Sequence, residues 1–355
     1  VSRLEKRLES CFSEKQYYEA HQIYRTLFYR LSSANKFEEL LVSLEAGCLR
    51  LLEVEEIGSA YDLAEMYAEA LLKSTAPLTT ARLDSIEKIF RRLPASVKLP
   101  VSNDAKDMRN KFIAACVKWS QSVSSRPTEI HRGSGALHSR FAIALWQENS
   151  LEMARSHFML SDSPNEFGSF LADWHSRGEV EAEPELWVAV AVLQLVCLRR
   201  VLFARRVFRS FLGHSSSLHL SCHSSSPSPP FPLKLLNFSW LLLHIVPTHN
   251  LAHFTALVAR YRPEMEKDAT LLAELDHIGQ LYFGVAPRQQ GGGLLGSLMK
   301  GLMGKQEENK EVATSDTEEE LKKDSSGEEG LVQAEIARLL REDQPEMQHH
   351  DDDLD

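Results

Sequence analysis

Three clusters in this chain carry residue types that could do chemistry. Gly291, Gly293 and Gly296 satisfy a GxGxxG spacing, which in a dinucleotide site lets the backbone approach a pyrophosphate. That chemistry needs a strand before the glycines, a helix after them and a parallel sheet around them. None is legible here, so a Gly-rich linker is expected, with no cofactor. His214, His219, Cys222 and His223 are zinc-ligand types, but their spacing fits no closed tetrahedral site and their Ser-rich context offers nothing to orient ligands. His349 and His350 precede Asp351, Asp352 and Asp353, a polar terminus read as solvated. No metal site is assigned. No Ser/His/Asp or Cys/His arrangement stands out, although triad members meet only in space. No catalytic residue is assigned, and the chain is not expected to be an enzyme.

The elements that would position any such group are helices. Tyr17, Ala20, Tyr24, Leu27, Phe28 and Leu31 follow the spacing of a helix with one buried face. Tyr61 to Tyr67 repeats Tyr18 to Tyr24 as Tyr, acid, two variable positions, Gln or Glu, Ile or Met, Tyr. Ala154 and Phe158 echo Ala20 and Tyr24. Between the first two copies, Phe37, Leu40, Leu41, Leu44, Cys48 and Leu51 mark a second helix. A two-helix unit of about 40–47 residues is the size of a helical solenoid repeat. Ala20, Ala46 and Gly47 are small enough to let neighbouring helices approach.

Helices are predicted over 3–13, 15–32, 36–53, 58–73, 79–93, 103–122, 135–148, 151–160, 165–177, 185–200, 201–212, 232–246, 249–261 and 268–283. Breakers at Pro77, Pro94, Pro100, Pro127, Gly133, Pro164, Gly178, Pro263 and Pro287 separate them. No stretch alternates with period two. The expected fold is all-α, a right-handed α-solenoid of stacked antiparallel helix pairs, TPR-like, with a disordered acidic C-terminal tail.

Three segments are expected: an N-terminal half of the solenoid over 1–150, a C-terminal half over 151–287, and a Gly-rich hinge with tail over 288–355. A Ser/Pro-rich insert at 213–230 interrupts the second half. Within the tail, Leu331 to Leu340 could form one short amphipathic helix, marginal in isolation. Ser315, Thr317, Ser325 and Ser326 stand beside acids, as phosphorylation sites often do.

The net charge of −10 is not spread evenly. Residues 305–355 hold 6 Lys+Arg against 18 Asp+Glu, leaving 34 against 32 in 1–304. The body is near neutral, so no nucleic-acid surface is indicated. No 18-residue apolar run is present and no membrane span is expected. Arg3, Glu5, Lys6 and Arg7 are not followed by a signal-peptide apolar region, and with Val1 in place of Met a few residues are expected upstream. Five scattered cysteines without a CxxC suit a reducing compartment, the cytosol.

Tyr17 and Tyr18 point about 100° apart on one helix. Either one of them faces outward with His21 and Arg25 as an interface anchor, or a Tyr seals the groove between helices. His21 and Arg25 are not reproduced at Ala64 and Ala68, which marks them as candidates for contact rather than stacking.

Three stretches together resemble the Golgi-to-ER traffic protein 4 family. They are Tyr17 to Leu27 with Phe28 and Arg30; Leu235, Leu236, Asn237 and Phe238 with Trp240, Leu242 and Leu243; and Ile278 to Val285 ahead of the Gly-rich 292–304 stretch. The resemblance spans about 15–304 and implies an α-solenoid adaptor, without chemistry of its own, in the targeting of tail-anchored membrane proteins to the endoplasmic reticulum. It implies that the N-terminal half binds the targeting ATPase, with Tyr17, Tyr18, Glu19, His21, Gln22 and Arg25 as candidate contacts. It implies that the C-terminal half binds a ubiquitin-like adaptor protein or a BAG-domain scaffold protein, with Asn237, Trp240, Gln280 and Phe283 as candidates. Two departures stand out. The insert at 213–230 occupies the place of a hairpin-like connection that contacts the C-terminal partner, and 305–355 shares only acidity with the family. The alternative is a general helical-repeat scaffold subunit of proteasome-lid or signalosome type, and a further one is a hydrolase on a helical scaffold.

Overall fold

Regular reversal of the chain organises the whole fold. In a computed structural model, which describes residues 3–95, 105–178, 182–215, 228–286, 320, 324 and 327–342, the described residues form sixteen α-helices, one 3-10 turn and no strand. The helices are α1 (Arg3–Ser13), α2 (Tyr17–Ser33), α3 (Phe37–Glu53), α4 (Ile57–Ser74), α5 (Thr80–Arg92), α6 (Ala105–Val123), α7 (Pro127–Arg132), α8 (Gly135–Gln147) and α9 (Leu151–Phe158). They continue as α10 (Pro164–Ser176), α11 (Pro184–Cys197), α12 (Val201–His214), α13 (Lys234–Ile245), α14 (Leu251–Met265), α15 (Ala269–Phe283) and α16 (Glu329–Glu342). The all-α expectation holds, and the predicted helices are recovered within a few residues, although Pro263, read as a breaker, lies inside α14, which runs on to Met265. The six-residue α7 was not expected: Pro127, read as a breaker, instead opens it at its first turn, where the missing amide costs nothing.

Five connections are one motif. After α1, α2, α3, α8 and α11 the chain turns through three residues, with Lys15, Asn35, Glu55, Asn149 and Arg199 left-handed at φ of 54° to 63°. The following amide reaches back five residues each time, from Gln16 to Cys11, Lys36 to Leu31, Glu56 to Leu51, Ser150 to Leu145 and Arg200 to Leu195, at 2.7–3.0 Å. This Schellman closure satisfies orphan carbonyls and sends the next helix back antiparallel. None of the five residues is glycine.

The chain divides into two compact units, Val1–Ser163 and Pro164–Asp355. In the first, α1 to α4 pair in sequence, α2 lies on α4 and α4 on α6, while α3 lies on α5 and α5 on α8. Ion pairs lace the outer faces, Arg50 to Glu9 at 2.6 Å, Lys88 to Glu45 at 3.1 Å and Arg140 to Glu87 at 2.6 Å. Exposed pairs of this kind add at most about 1 kcal/mol each. Gly47 performs the expected close approach: the ring of Tyr24 sits 2.5 Å from where a Cβ would stand. Ala46 does not, since it points to solvent one position round the helix.

In the second unit α10 packs on α12, α11 on α12, α13 and α15, and α16 on α14 and α13. Gly168 on α10 lets α12 in so closely that a Cβ would stand 2.6 Å from the Val207 carbonyl oxygen. The expected helix over Leu331 to Leu340 is present, inside α16 and docked.

Two substitutions test these readings by chemical denaturation. Glu55→Gly removes a left-handed penalty at an exposed residue and should stabilise by about 1 kcal/mol. Gly168→Ala should destabilise by about 1–3 kcal/mol, because backbone rather than a side-chain tip must give way.

Candidate partner-binding surfaces

Helical spacing places Tyr18, Gln22, Arg25 and Tyr29 on one stripe of α2, at i, i+4, i+7 and i+11. Tyr18 is 71% exposed and Tyr29 62%, among the few large hydrophobic side chains at the surface. Tyr17 turns the other way and rests against Phe12 of α1 with ring centroids 6.0 Å apart. Both alternatives for the tyrosine pair therefore occur: Tyr17 seals a groove and Tyr18 faces out. Glu19 is exposed beside it, and Gln22 and Arg25 are half-buried.

His21 corrects the expectation of an outward contact. It is 8% exposed, and its Nε2 donates to Asp62 Oδ2 of α4 at 2.6 Å. Arg25 Nη1 lies 3.5 Å from the same oxygen. The His21 hydrogen bond, and then the charges of His21 and Arg25, hold the Asp62 carboxyl below its usual range. His21 is thus a clasp between α2 and α4 under the stripe. Sequence reasoning missed Asp62, which lies 41 residues from His21. It also missed Tyr29, although the i+11 spacing from Tyr18 was a usable signal.

The repeat match between Tyr18 and Tyr61 holds in sequence and fails in environment. Tyr61 is fully buried in α4 and donates its hydroxyl to the Pro94 carbonyl at 2.6 Å. α4 is covered by α2, α3 and α6, whereas among the described residues α2 packs chiefly on α1, α3 and α4 and leaves the Tyr18 side open. Ala154 and Phe158 of α9 are buried like Ala20 and Tyr24.

The second surface lies on α13. Asn237 does not face a partner freely: Phe231 N–H donates to its Oδ1 at 2.6 Å, and its Nδ2 donates back to the Phe231 carbonyl. It clamps the segment leading into the helix. Trp240 is only 3% exposed. Its Nε1 donates to Glu328 at 2.7 Å, and its ring meets Phe231 and His244 edge-on. Phe283 is likewise buried, stacked on Phe254 at 4.3 Å. Of the four candidates in this unit only Gln280 is fully exposed, on α15. Trp240 and Phe283 are corrected from surface to core because neighbouring segments cover them.

Other chemistry resolves structurally. His138 and His157 face each other at 2.8 Å, and burial followed by the His138 charge pushes His157 down to about 3. Among the described residues Cys197, Glu274 and His277 form the one group whose ligand atoms could surround a metal ion, within 4.8 Å of one another. Burial pushes the Cys197 thiol up, away from the thiolate a metal needs, and its Sγ contacts the Glu274 carbonyl at 3.6 Å. His214 accepts no such role, bonding instead to the Ser210 carbonyl at 2.7 Å. His219, Cys222, His223, the Gly291–Gly296 motif, Ser315, Thr317, Ser325, Ser326, His349 and His350 lie outside the described residues, as does most of the 213–230 insert. No helix among the described residues is long and apolar enough to cross a membrane.

Stacked helix pairs, with an aromatic-polar stripe on one unit and a pocketed, arginine-lined face on the other, define an α-solenoid. The family model described as Golgi to ER traffic protein 4 matches residues 34–303. The Golgi to ER traffic protein 4 homolog of Oryzias latipes is 35% identical over 329 residues, 92% of this chain and 93% of that protein. That of Xenopus tropicalis is 34% identical over 311 residues, 87% of this chain and 89% of its own. That of Homo sapiens is 34% identical over 319 residues, 89% and 91%. The crystal structure of C. therm. Get4 aligns with a TM-score of 0.67 at 23% identity, covering 86% of this chain and 96% of that one. The chain belongs to the Golgi to ER traffic protein 4 family.

The Asp62 clasp predicts a pH signature. A carboxyl lowered by folding contributes fully above its unfolded pKa, near 3.8, and loses that contribution as pH falls through the lower folded value. Asp62→Asn should cost up to about 1 kcal/mol at pH 7, given its partial exposure. Denaturation of both proteins should give a difference that shrinks below about pH 4.

Proposed function

We propose that this chain is a non-enzymatic adaptor in the post-translational targeting of tail-anchored membrane proteins to the endoplasmic reticulum, working in the cytosol. Family membership supports the role, since the relatives are named for Golgi to ER traffic. The single observation that carries the mechanism is the stripe Tyr18–Gln22–Arg25–Tyr29, an exposed aromatic pair with a half-buried cation between them on one helix. Tyr and Arg are the side chains that most often anchor interfaces, giving large contact area at low entropy cost. In this reading the stripe receives the targeting ATPase, with Glu19 at its edge and His21 holding α2 in register from below. The second unit, through α13 and its neighbours, receives the ubiquitin-like adaptor or BAG-domain scaffold protein. Bridging the two lets a captured transmembrane segment pass between chaperones without exposure to water.

Purified chain mixed with the targeting ATPase tests the stripe directly. Tyr18→Ala with Tyr29→Ala should weaken binding by at least tenfold while leaving thermal stability unchanged, because both rings are already exposed. Affinity should also fall with added salt, as Arg25 contributes charge. Unchanged affinity in the double variant would place the ATPase elsewhere. Recovery from cytosol of a large multisubunit particle, with no ATPase, would favour a general scaffold instead.

A further inference from the structure

The C-terminal helix occupies the very surface assigned above to the second partner. It does so with a definite order of contacts. Two acids come first. Asp324 Oδ1 lies 2.9 Å from Arg209 Nη1, and its Oδ2 lies 3.9 Å from Arg205 Nη1, both on α12. Arg209 Nη2 also donates to the Asp324 carbonyl at 3.0 Å. Glu328 accepts from Trp240 Nε1 at 2.7 Å and lies 3.6 Å from His244 Nε2, both on α13. An apolar stripe follows. Val332, Ile336 and Leu339, at i, i+4 and i+7, are buried where α16 meets α14 and α13, while Leu331 and Leu340 point away.

We propose that the face formed by α12, α13 and α14 is a docking site for an acid-led amphipathic helix. The chain fills it with its own Asp324 and residues 327–342 until a partner's helix of the same chemistry displaces them. This deepens the C-terminal assignment above and rests on it for the identity of the partner. Charge complementarity sets the occupant's chemistry: the face offers the cations Arg205 and Arg209 with an indole N–H and the buried imidazole of His244 beside them, and the chain answers with acids from a strongly acidic region. The fit is incomplete, which suits exchange. Among the described residues, Asp324 Oδ2 and His244 Nε2 are buried and have no hydrogen-bond partner. A cavity of about 350 Å³ lies against Arg205, Phe231, Trp240 and Glu328, and one of about 360 Å³ against Tyr261, Glu335 and Leu339. A partner helix with larger side chains or better-placed acceptors gains contacts that the chain's own segment leaves unmade. The internal segment holds its place through covalent tethering, which presents it at an effective concentration of about 1 mM.

The test uses the full chain and a fluorescent peptide of its own residues 320–343 as probe. For a peptide of about 100 µM intrinsic affinity, a tether of that strength masks the site about tenfold. Ile336→Asp, which puts a charge into the buried stripe, should therefore bind the peptide at least tenfold more tightly than the wild type. Asp324→Lys with Glu328→Lys should release the segment by charge alone, giving the same gain without altering the apolar stripe. Adding Arg209→Glu to Ile336→Asp should abolish peptide binding. Purified C-terminal partner should then compete the peptide off the Ile336→Asp chain. Equal peptide affinity for wild type and both released variants, or binding that survives Arg209→Glu, would overturn the docking site. Simultaneous binding of peptide and partner would overturn the exchange. A failed adaptor role shows separately, as absence of the partner from cytosolic pull-downs with peptide binding intact.

Discussion

Among the described residues, the central helices α4 and α11 carry more apolar surface than one partner helix can bury, and much of the packing follows from that. α4 buries Ala60, Tyr61, Leu63, Ala64, Met66, Tyr67, Ala68, Ala70 and Leu71, residues that run round most of its circumference. One partner helix covers a stripe of about 100°. α4 therefore needs α2, α3 and α6 together, and each of those inherits the same need on its far side. α11 repeats the situation with Val188, Ala189, Ala191, Val192, Leu193, Leu195 and Val196. Stacking is the solution because every added helix covers one face and offers another. The Schellman closures keep it orderly at five connections: there three residues and one left-handed backbone set the direction of the next helix, so the two meet antiparallel without a long loop.

Among the described residues, two faces keep apolar surface that the stacking within each unit does not cover. The two units treat that remainder differently. On α2 the remainder is modest and amphipathic, two tyrosines whose hydroxyls tolerate water, spaced by Gln22 and Arg25. On α13 and α14 it includes Trp240 and Tyr261, next to the buried guanidinium of Arg205, which donates to the Leu243 carbonyl at 3.0 Å. Such a face is poorly matched to water, and α16 covers it. The first surface leaves Tyr18 and Tyr29 exposed, whereas the second is covered by a segment that carries its own counter-charges.

Much of this was legible in sequence, and the failures share one cause. Helix positions follow from apolar spacing within about twenty residues, so they were recovered throughout, α7 excepted because six residues give too little periodicity. The stacking of Ala20, Tyr24 and Phe28 follows from the same signal. What could not be read was which face meets which neighbour. His21 looked exposed because its partner Asp62 belongs to another helix. Tyr61 looked equivalent to Tyr18 because sequence similarity does not reveal how many helices flank each copy. Ala46 was chosen beside Gly47 on size alone, yet a step of 100° separates buried from exposed. The docking of α16 was the least legible, since Arg209 and Asp324 are 115 residues apart. An amphipathic helix reads the same whether its apolar stripe meets this chain, another chain or nothing.

That ambiguity bears on the acidity of the C-terminal region. Read as composition, 18 acids against 6 bases after residue 304 describe a solvated tail. Asp324 and Glu328 show that part of this charge is structural. They face two arginines, a histidine and an indole that the near-neutral body would otherwise hold against water or apolar surface. A large apolar face left uncovered invites self-association. A face closed by an acid-led helix avoids that, and it also becomes selective, because an intruder must supply both the apolar stripe and acids at its leading end. Covering the surface and choosing the partner are then a single physical device, and the same contacts that hold α16 in place define what can replace it.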